Sequence, residues 1–292
     1  MLYDVRLTLS YDYDAPVLGG RHHIRVSPIS VPGRQRVIAS ALSFTPNPHR
    51  LTSFIDFFGN SVSDVSFVEP HEKLEVRLAA RVQVEDTDSG VDLSAGREQL
   101  GLEVARYWSV EPDSPQHFLA ASPRVQIVRA ITDYAASATA GVESVRAKAM
   151  ALCQAIHRDF EYDPKATDVE TKPAEAFALR KGVCQDFAHV MIAGLRGLDI
   201  PAGYVSGFLR TIPPPGQARL EGADAMHAWV RVWCGIQTGW LDFDPTNAMI
   251  AGADHISIGH GRDYADVSPI VGVLRTHGSH ETRQSVDVVK VE

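Results

Sequence analysis

The stretch RKGVCQDFAHVMIAGLRGLDIPAGYVSGFL (residues 180–209) changes its hydrophobic period part way along. From Cys184 onward, Phe187, Ala188, Met191, Ile192, Leu195 and Leu198 recur at the spacing of one helix face. Pro201 bars that helix from continuing. Beyond it, Tyr204–Leu209 has the character of a strand, so this stretch is read as a helix beginning at a cysteine and leading into a sheet.

Downstream, Ala225–Cys234 and Trp240–Phe243 also read as strands, separated from their neighbours by PPPG (213–216) and GIQTG (235–239). Together with Tyr204–Leu209 they are expected to be adjacent and antiparallel. Upstream, Val125, Ile127, Val128, Ile131 and Tyr134 form one helical stripe, and Val145, Ala149, Cys153, Ile156 and Phe160 a second; a short helix is expected at Ala174–Leu179. From Leu2 to about Val84 the period is near 2: Tyr3, Val5, Leu7 and Leu9 alternate with polar residues, as do Leu74, Val76 and Leu78. Turn formers at DAPVLGG (14–20), SPISVPG (27–33) and TPNPH (45–49) divide this half into short strands of a sandwich. Weak periodicity between Glu85 and Pro123 marks the crossing between units, placed at residue 115, giving a β-rich domain over 1–115 and a second domain over 116–292. The tail SVDVVKVE alternates and is free to join either sheet. The fold class is α+β, an all-β sandwich-like domain followed by helices and an antiparallel sheet.

Composition narrows the function. Among 292 residues, 28 Lys+Arg against 36 Asp+Glu leave a charge of −8, which argues against a dedicated nucleic-acid binder. With 45% hydrophobic and 22% charged residues the chain is an ordinary globular one. The opening MLYDVRLTLSYDYD has charges where a signal peptide needs an apolar run, and no membrane-spanning segment is found. Three cysteines form neither a disulfide framework nor a C-x-x-C metal spacing. A cytoplasmic protein without membrane partner, metal or cofactor is expected.

The helix start at Cys184, behind Arg180, Lys181 and Gly182, is a place where free N–H groups and positive potential lower a thiol pKa. Cys153 lies in its helix's apolar stripe and Cys234 on the opposite strand face from His227, so packing explains both. Parity puts His227, Trp229, Arg231 and Trp233 on one face of their strand. Asp242 and Asp244 share a parity on the next strand, and either could accept a hydrogen bond from His227 Nδ1, leaving Nε2 to take the thiol proton; parity does not choose between them. Asp186 and His189 point about 160° and 140° away from Cys184 around their helix and are read as structural. His255, His260, His277 and His280 gather late in the chain, and Asp86, Asp88 and Asp92 in an acidic loop, but neither group matches a metal pattern.

The run 180–209, followed by DAMHAWVRVW (224–233) and GWLDFDPTN (239–247), strongly resembles the bacterial transglutaminase-like superfamily, whose cores are papain-like. The opening YDVRLTLSYDYDAPV and the late GRDYADVSPIVGV (261–273) are similar to the N-terminal β-domain and post-core motif of its transglutaminase-like enzymes and cysteine proteases. The resemblance implies a nucleophile at Cys184, a base at His227 and an orienting carboxylate at Asp244, acting on peptide or glutamine-type amides through a thioester. Gln185, Tyr204 and Trp229 are expected to bind substrate, a core role for Tyr204 and Trp229 being the alternative, with the Gln185 side chain or an indole N–H as candidate oxyanion donor beside the Cys184 N–H. A peptide or protein amide is the expected partner. Arg262, Asp263 and Tyr264 are read as a surface turn.

Overall fold

The computed structural model describes residues 1–86, 91–211, 222, 224–275 and 278–291. Asp88, His277 and the PPPG turn at 213–216 lie outside the described residues. The N-terminal strands are β1 (Leu2–Val17), β2 (Gly20–Ile24), β3 (Gln35–Thr45), β4 (Arg50–Ile55), β5 (Ser61–Phe67) and β6 (His71–Val84). Helices α1 (Arg97–Arg106), α2 (Arg129–Ala138) and α3 (Val145–Asp159) follow, then the two-residue strand β7 (Glu161–Tyr162), α4 (Pro173–Leu179), β8 (Lys181–Gly182) and α5 (Cys184–Gly197). Strands β9 (Ala202–Leu209), β10 (Ala225–Trp233), β11 (Trp240–Asp244), β12 (Met249–Ile250) and β13 (His255–Gly261) complete the core. A short α6 (Tyr264–Val267) and the strands β14 (Ile270–Leu274) and β15 (His280–Val291) end the chain.

Alternation in β1 and β6 works as the sequence requires: Tyr3, Val5, Leu7 and Leu9, and Leu74 through Val84 at every second position, are buried. They face Ile24, Val65 and Phe67 of a second sheet, so β15-β1-β6-β3 and β14-β2-β5-β4 close a sandwich on one apolar cluster. β1 runs on to Val17 instead of breaking at Asp14, because a register shift between Asp12 and Val17 absorbs the irregularity. The last strand, free by sequence to join either sheet, pairs along β1 from Leu2↔Val291 to Tyr13↔His280.

The core sheet has the order β12-β11-β10-β9-β13, antiparallel throughout as expected for β9, β10 and β11. Helix α5 is buried from Asp186 to Arg196 and packs on β9 and β10, with α2, α3 and α4 against its other sides. Two helix boundaries differ from the sequence reading. Helix α2 begins at Arg129, so Val125, Ile127 and Val128 of the expected stripe precede it; Val125 exchanges backbone hydrogen bonds with Ser122, and the Val128 carbonyl accepts from Ile131 N. Helix α1 lies in the stretch read as irregular; it buries only Leu100 and has no stripe to reveal it. Among the described residues no helix is long and apolar enough to cross a membrane.

The two cores are not independent. Phe208, Ile256 and Ile258, from strands of the core sheet, are buried in the sandwich's apolar cluster. The Gln35 amide donates to Ile29 O at 2.6 Å and Ser257 O at 2.7 Å while its oxygen accepts from Ser257 N, stitching the loop before β3 to β13. We therefore expect Phe208→Ala to cost about 3–5 kcal/mol and to lower the urea midpoint of the sandwich and of the helical core together. Separate transitions in fluorescence and circular dichroism would contradict this coupling.

Candidate active site

Continuing the β10–β11 ladder from Val230↔Phe243 sets Trp229 opposite Asp244. Each side chain on that face of β10 reaches instead to the diagonal residue of β11. His227 meets Asp244, Trp229 meets Asp242, and Arg231 stacks on Trp240. The geometry thus resolves the choice that parity left open: the carboxylate bonded to His227 is that of Asp244.

Asp244 is fully buried. Its Oδ2 accepts from His227 Nε2 at 2.8 Å, His255 Nε2 at 3.1 Å and Asn247 Nδ2 at 2.7 Å; its Oδ1 accepts from the backbone N–H of Thr246 at 2.9 Å and of Asn247 at 3.1 Å. Burial favours the protonated carboxyl, but the hydrogen bonds from His227 and His255 lead the opposing effects and hold its pKa far below the carboxylate range. His227 shows the reverse balance. Burial disfavours the imidazolium, yet the hydrogen bond to Asp244 and the electrostatic influence of the neighbouring Cys184 and Asp244 push it up to about 10.

The ring is turned over relative to the sequence expectation. Nε2, not Nδ1, bonds the carboxylate, which leaves Nδ1 as the nitrogen available to the thiol. The reason lies in the diagonal reach: Asp244 sits beyond the Trp229 position, and the outer ring nitrogen spans that distance.

Cys184 is partly exposed, whereas Cys153 and Cys234 are fully buried. Burial drives the Cys153 thiol up to about 12 and raises Cys234 as well, so both behave as packing residues. Cys184 is the first residue of α5, where the Asp186 Oδ2 accepts from Val183 N at 2.8 Å and from Thr167 Oγ1 at 2.7 Å. Gly182 is required beside it: a Cβ there would sit 2.5 Å from that Asp186 oxygen. The basic side chains before the cysteine are engaged elsewhere. Arg180 lies over the rings of Phe177, Tyr134 and Phe160 at 4.0–4.8 Å, and Lys181 pairs with Glu161 at 2.9 Å.

The expected substrate contacts are placed differently. Tyr204 is 3% exposed and packs against His189 and Tyr264, and Trp229 is 0% exposed with its indole N–H on Asp242 Oδ2 at 2.8 Å. Neither ring faces an open groove, because both point into layers closed on each side of the sheet. The Gln185 amide donates to Val169 O at 3.1 Å, so it is anchored to a neighbouring loop. His189 accepts from Tyr264 N at 3.2 Å, and burial takes its pKa down to about 4, consistent with a structural role.

The segment read as a surface turn is an internal clasp. Asp263 is fully buried and accepts from Arg124 N at 2.6 Å and Ala265 N at 2.9 Å, while the carbonyl of Arg262 accepts from the buried Arg196 guanidinium at 2.6 Å. The late histidines do not gather either: His255 is at the Asp244 carboxylate, His260 lines a pocket with Val205 and Arg231 further along the same face of the sheet, and His280 is on β15 beside Tyr11 and Tyr13. Asp92 serves Ser94 and Ser144 at the start of α3.

His255 is the participant that sequence reasoning did not place. Its Nδ1 accepts from Gly252 N at 3.3 Å, which fixes the Nε2–H tautomer that donates to Asp244. Only the return of β13 along β9 brings it there, and no local spacing announces that. Among the described residues, His227, Asp244 and His255 also form the one group with metal-ligand geometry, their ligand atoms lying within 4.8 Å of one another. The 2.8 and 3.1 Å spacings to Oδ2 are those of N–H···O bonds, which occupy the same nitrogens. Asn247 was at hand in the sequence, since an Asp-Pro-Thr-Asn turn folds its own backbone N–H groups onto the aspartate.

A family model described as the bacterial transglutaminase-like N-terminal region matches residues 3–83, and one described as the transglutaminase-like superfamily matches residues 132–245. An uncharacterized protein of Mycobacterium tuberculosis is 36% identical over 263 residues, covering 89% of this chain and 83% of that protein. Another, of Mycobacterium leprae, is 29% identical over 285 residues, 96% of each. A crystal structure described as "a Putative Cysteine Protease from Cytophaga hutchinsonii" superposes with a TM-score of 0.75 at 21% identity, covering 100% of this chain and 92% of that one, a likeness of fold.

The pKa directions set a pH dependence. His227 is raised above its unfolded value of about 6.5, so the stability it contributes is full below that pH and is lost as pH climbs through about 10. Asp244 is lowered, so its contribution is present above about pH 3.9 and is lost only as pH falls towards its depressed value. Melting temperature should therefore decline from pH 6.5 to 10. Asp244→Asn should flatten that decline and cost about 3–5 kcal/mol at neutral pH; an unchanged slope in the variant would contradict the assignment.

Proposed function

Since the chain belongs to the transglutaminase-like superfamily, we propose that it is a cysteine-dependent acyl-transfer enzyme acting on peptide or glutamine-type amides. The observation that carries this reading is the His227 imidazole, hydrogen-bonded to a buried carboxylate and electrostatically coupled to the partly exposed Cys184 at a helix start. An imidazole that keeps its proton at neutral pH favours a thiolate on Cys184. That thiolate attacks the amide carbonyl carbon, and the His227 Nδ1–H gives its proton to the departing amine as the C–N bond breaks. The product is a thioester on Cys184. The developing oxyanion would be received by the Cys184 backbone N–H, one of the free donors of the first turn of α5.

Resolution of the thioester returns the proton to His227. Water, losing its proton to Nδ1, releases a carboxylic acid and makes the protein a cysteine protease or amidase, the outcome we favour; a primary amine makes a new amide and the protein a transglutaminase. His255 and Asn247 act as positioning residues by holding Asp244 in place.

Two measurements test the reading. Iodoacetamide should alkylate Cys184 at neutral pH far faster than it alkylates a small model thiol, and the rate should fall in His227→Gln; a rate no faster than the model thiol in the unaltered protein would point to a peptide-binding module that does no chemistry. Mass spectrometry after incubation with a protein mixture and an added primary amine should show new peptide termini that disappear in Cys184→Ala. Amine incorporation at glutamine with loss of ammonia would make it a transglutaminase instead.

A further inference from the structure

On the side of β10 and β11 away from α5, a cavity of about 250 Å³ lies between the sheet and the 31–34 loop of the N-terminal sandwich. Arg231 lines it. This side chain is 9% exposed, yet among the described residues it makes no hydrogen bond and no ion pair, and its Nε is buried without a partner. Its directly opposed ladder residue is Asp242, the natural cross-strand counterion. That carboxylate is already committed, to Arg34 Nη1 at 2.7 Å and to the Trp229 indole N–H at 2.8 Å. The other buried arginine of the core shows what a satisfied one looks like: Arg196 donates to Ala202 O, Ala120 O, Ser122 Oγ and Arg262 O. Thr238 Oγ1, on the same cavity wall, is likewise buried without a partner.

From this unpartnered guanidinium and hydroxyl in one cavity, we propose that the protein binds a small organic monocarboxylate there, a site separate from Cys184. The charge follows from the inventory. Arg34 and Asp242 pair with each other, burial and Arg231 keep His260 neutral, and Asp113 attracts Arg231 without bonding it, so the guanidinium has no bonded counterion in a place where a buried charge without one is costly. The planar acceptor follows from the stacking: the guanidinium carbon lies 4.2 Å from the Trp240 ring centroid, so one face is covered and the N–H edge remains for a two-oxygen acceptor. An organic body follows from the apolar part of the lining, Pro32, Val205, Leu241 and Ile250. Burial also pulls the Arg231 pKa down to about 10, the strain a bound anion would relieve. The location, at the seam of two packed units, is one where ligand sites are common.

The test uses the full chain with sodium hexanoate, sodium benzoate, sodium phosphate and, at matched ionic strength, sodium chloride. The carboxylates should raise the melting temperature saturably, by about 5 °C at roughly a hundredfold excess over Kd. Trp240 fluorescence should change in step. Arg231→Met should abolish both responses, and Thr238→Val should weaken the affinity about fivefold, one lost hydrogen bond. Equal responses in Arg231→Met, no saturable response to either carboxylate, or a response to phosphate alone would overturn the proposal. If Arg231→Met does not fold, Thr238→Val decides: unchanged affinity overturns the site and weakened affinity upholds it.

Discussion

A carboxylate with no exposed surface is tolerated only where donors replace its water, and Asp244 has five of them. Two come from its own turn, one from the Asn247 amide and two from histidines on β10 and β13. Those strands lie two places apart in the sheet, separated by β9, so one side chain fixes the relative positions of β9, β10, β11 and β13. Removing a histidine donor would weaken the hold on a charge buried where water does not reach. The imidazole of His227 is held in one plane and one tautomer as a result, which is the preparation that proton transfer needs.

The cysteine is positioned by a different set of contacts. Asp186 ties the first turn of α5 to Val183 and Thr167, Gly182 gives it room, and the rest of the helix is gripped between the sheet and three other helices. At its far end Arg196 crosses to Ala120, Ser122 and Arg262, so the late clasp locks the helix lengthwise. The first turn of so rigid an element holds the Cys184 thiol without any loop having to be ordered. Gly207 serves the same purpose on β9: a Cβ there would lie 2.2 Å from the Trp229 ring, which needs that space to rest against the sheet and reach Asp242.

The same face of β10 supports two environments a few residues apart. At His227 the diagonal contact is a carboxylate and the charges are matched. At Arg231 it is an indole, and the matching carboxylate has been taken by Arg34 from the N-terminal domain. The sandwich is therefore more than an appendage, since its 31–34 loop decides the charge balance on the back of the core sheet and its apolar cluster receives Phe208, Ile256 and Ile258.

Much of this was legible in the chain because it depends on local periodicity. The alternation of β1 and β6, the stripes of α3 and α5, the turn glycines and the three motifs around Cys184, His227 and Asp244 all express constraints between near neighbours. Even the packing roles of Cys153 and Cys234 follow from which face each occupies. Helix α1 escaped because a single buried leucine makes no pattern. What only the tertiary structure decided is non-local: which nitrogen of His227 meets the carboxylate, that His255 joins it, that Tyr204 and Trp229 are walled in, and that Arg262–Tyr264 is a clasp. It also decided that Asp242 pairs with Arg34 and leaves Arg231 alone. Each of these turns on which strands become neighbours, and the hydrogen-bond partners of a buried polar group come from segments far away in sequence, where no spacing rule reaches.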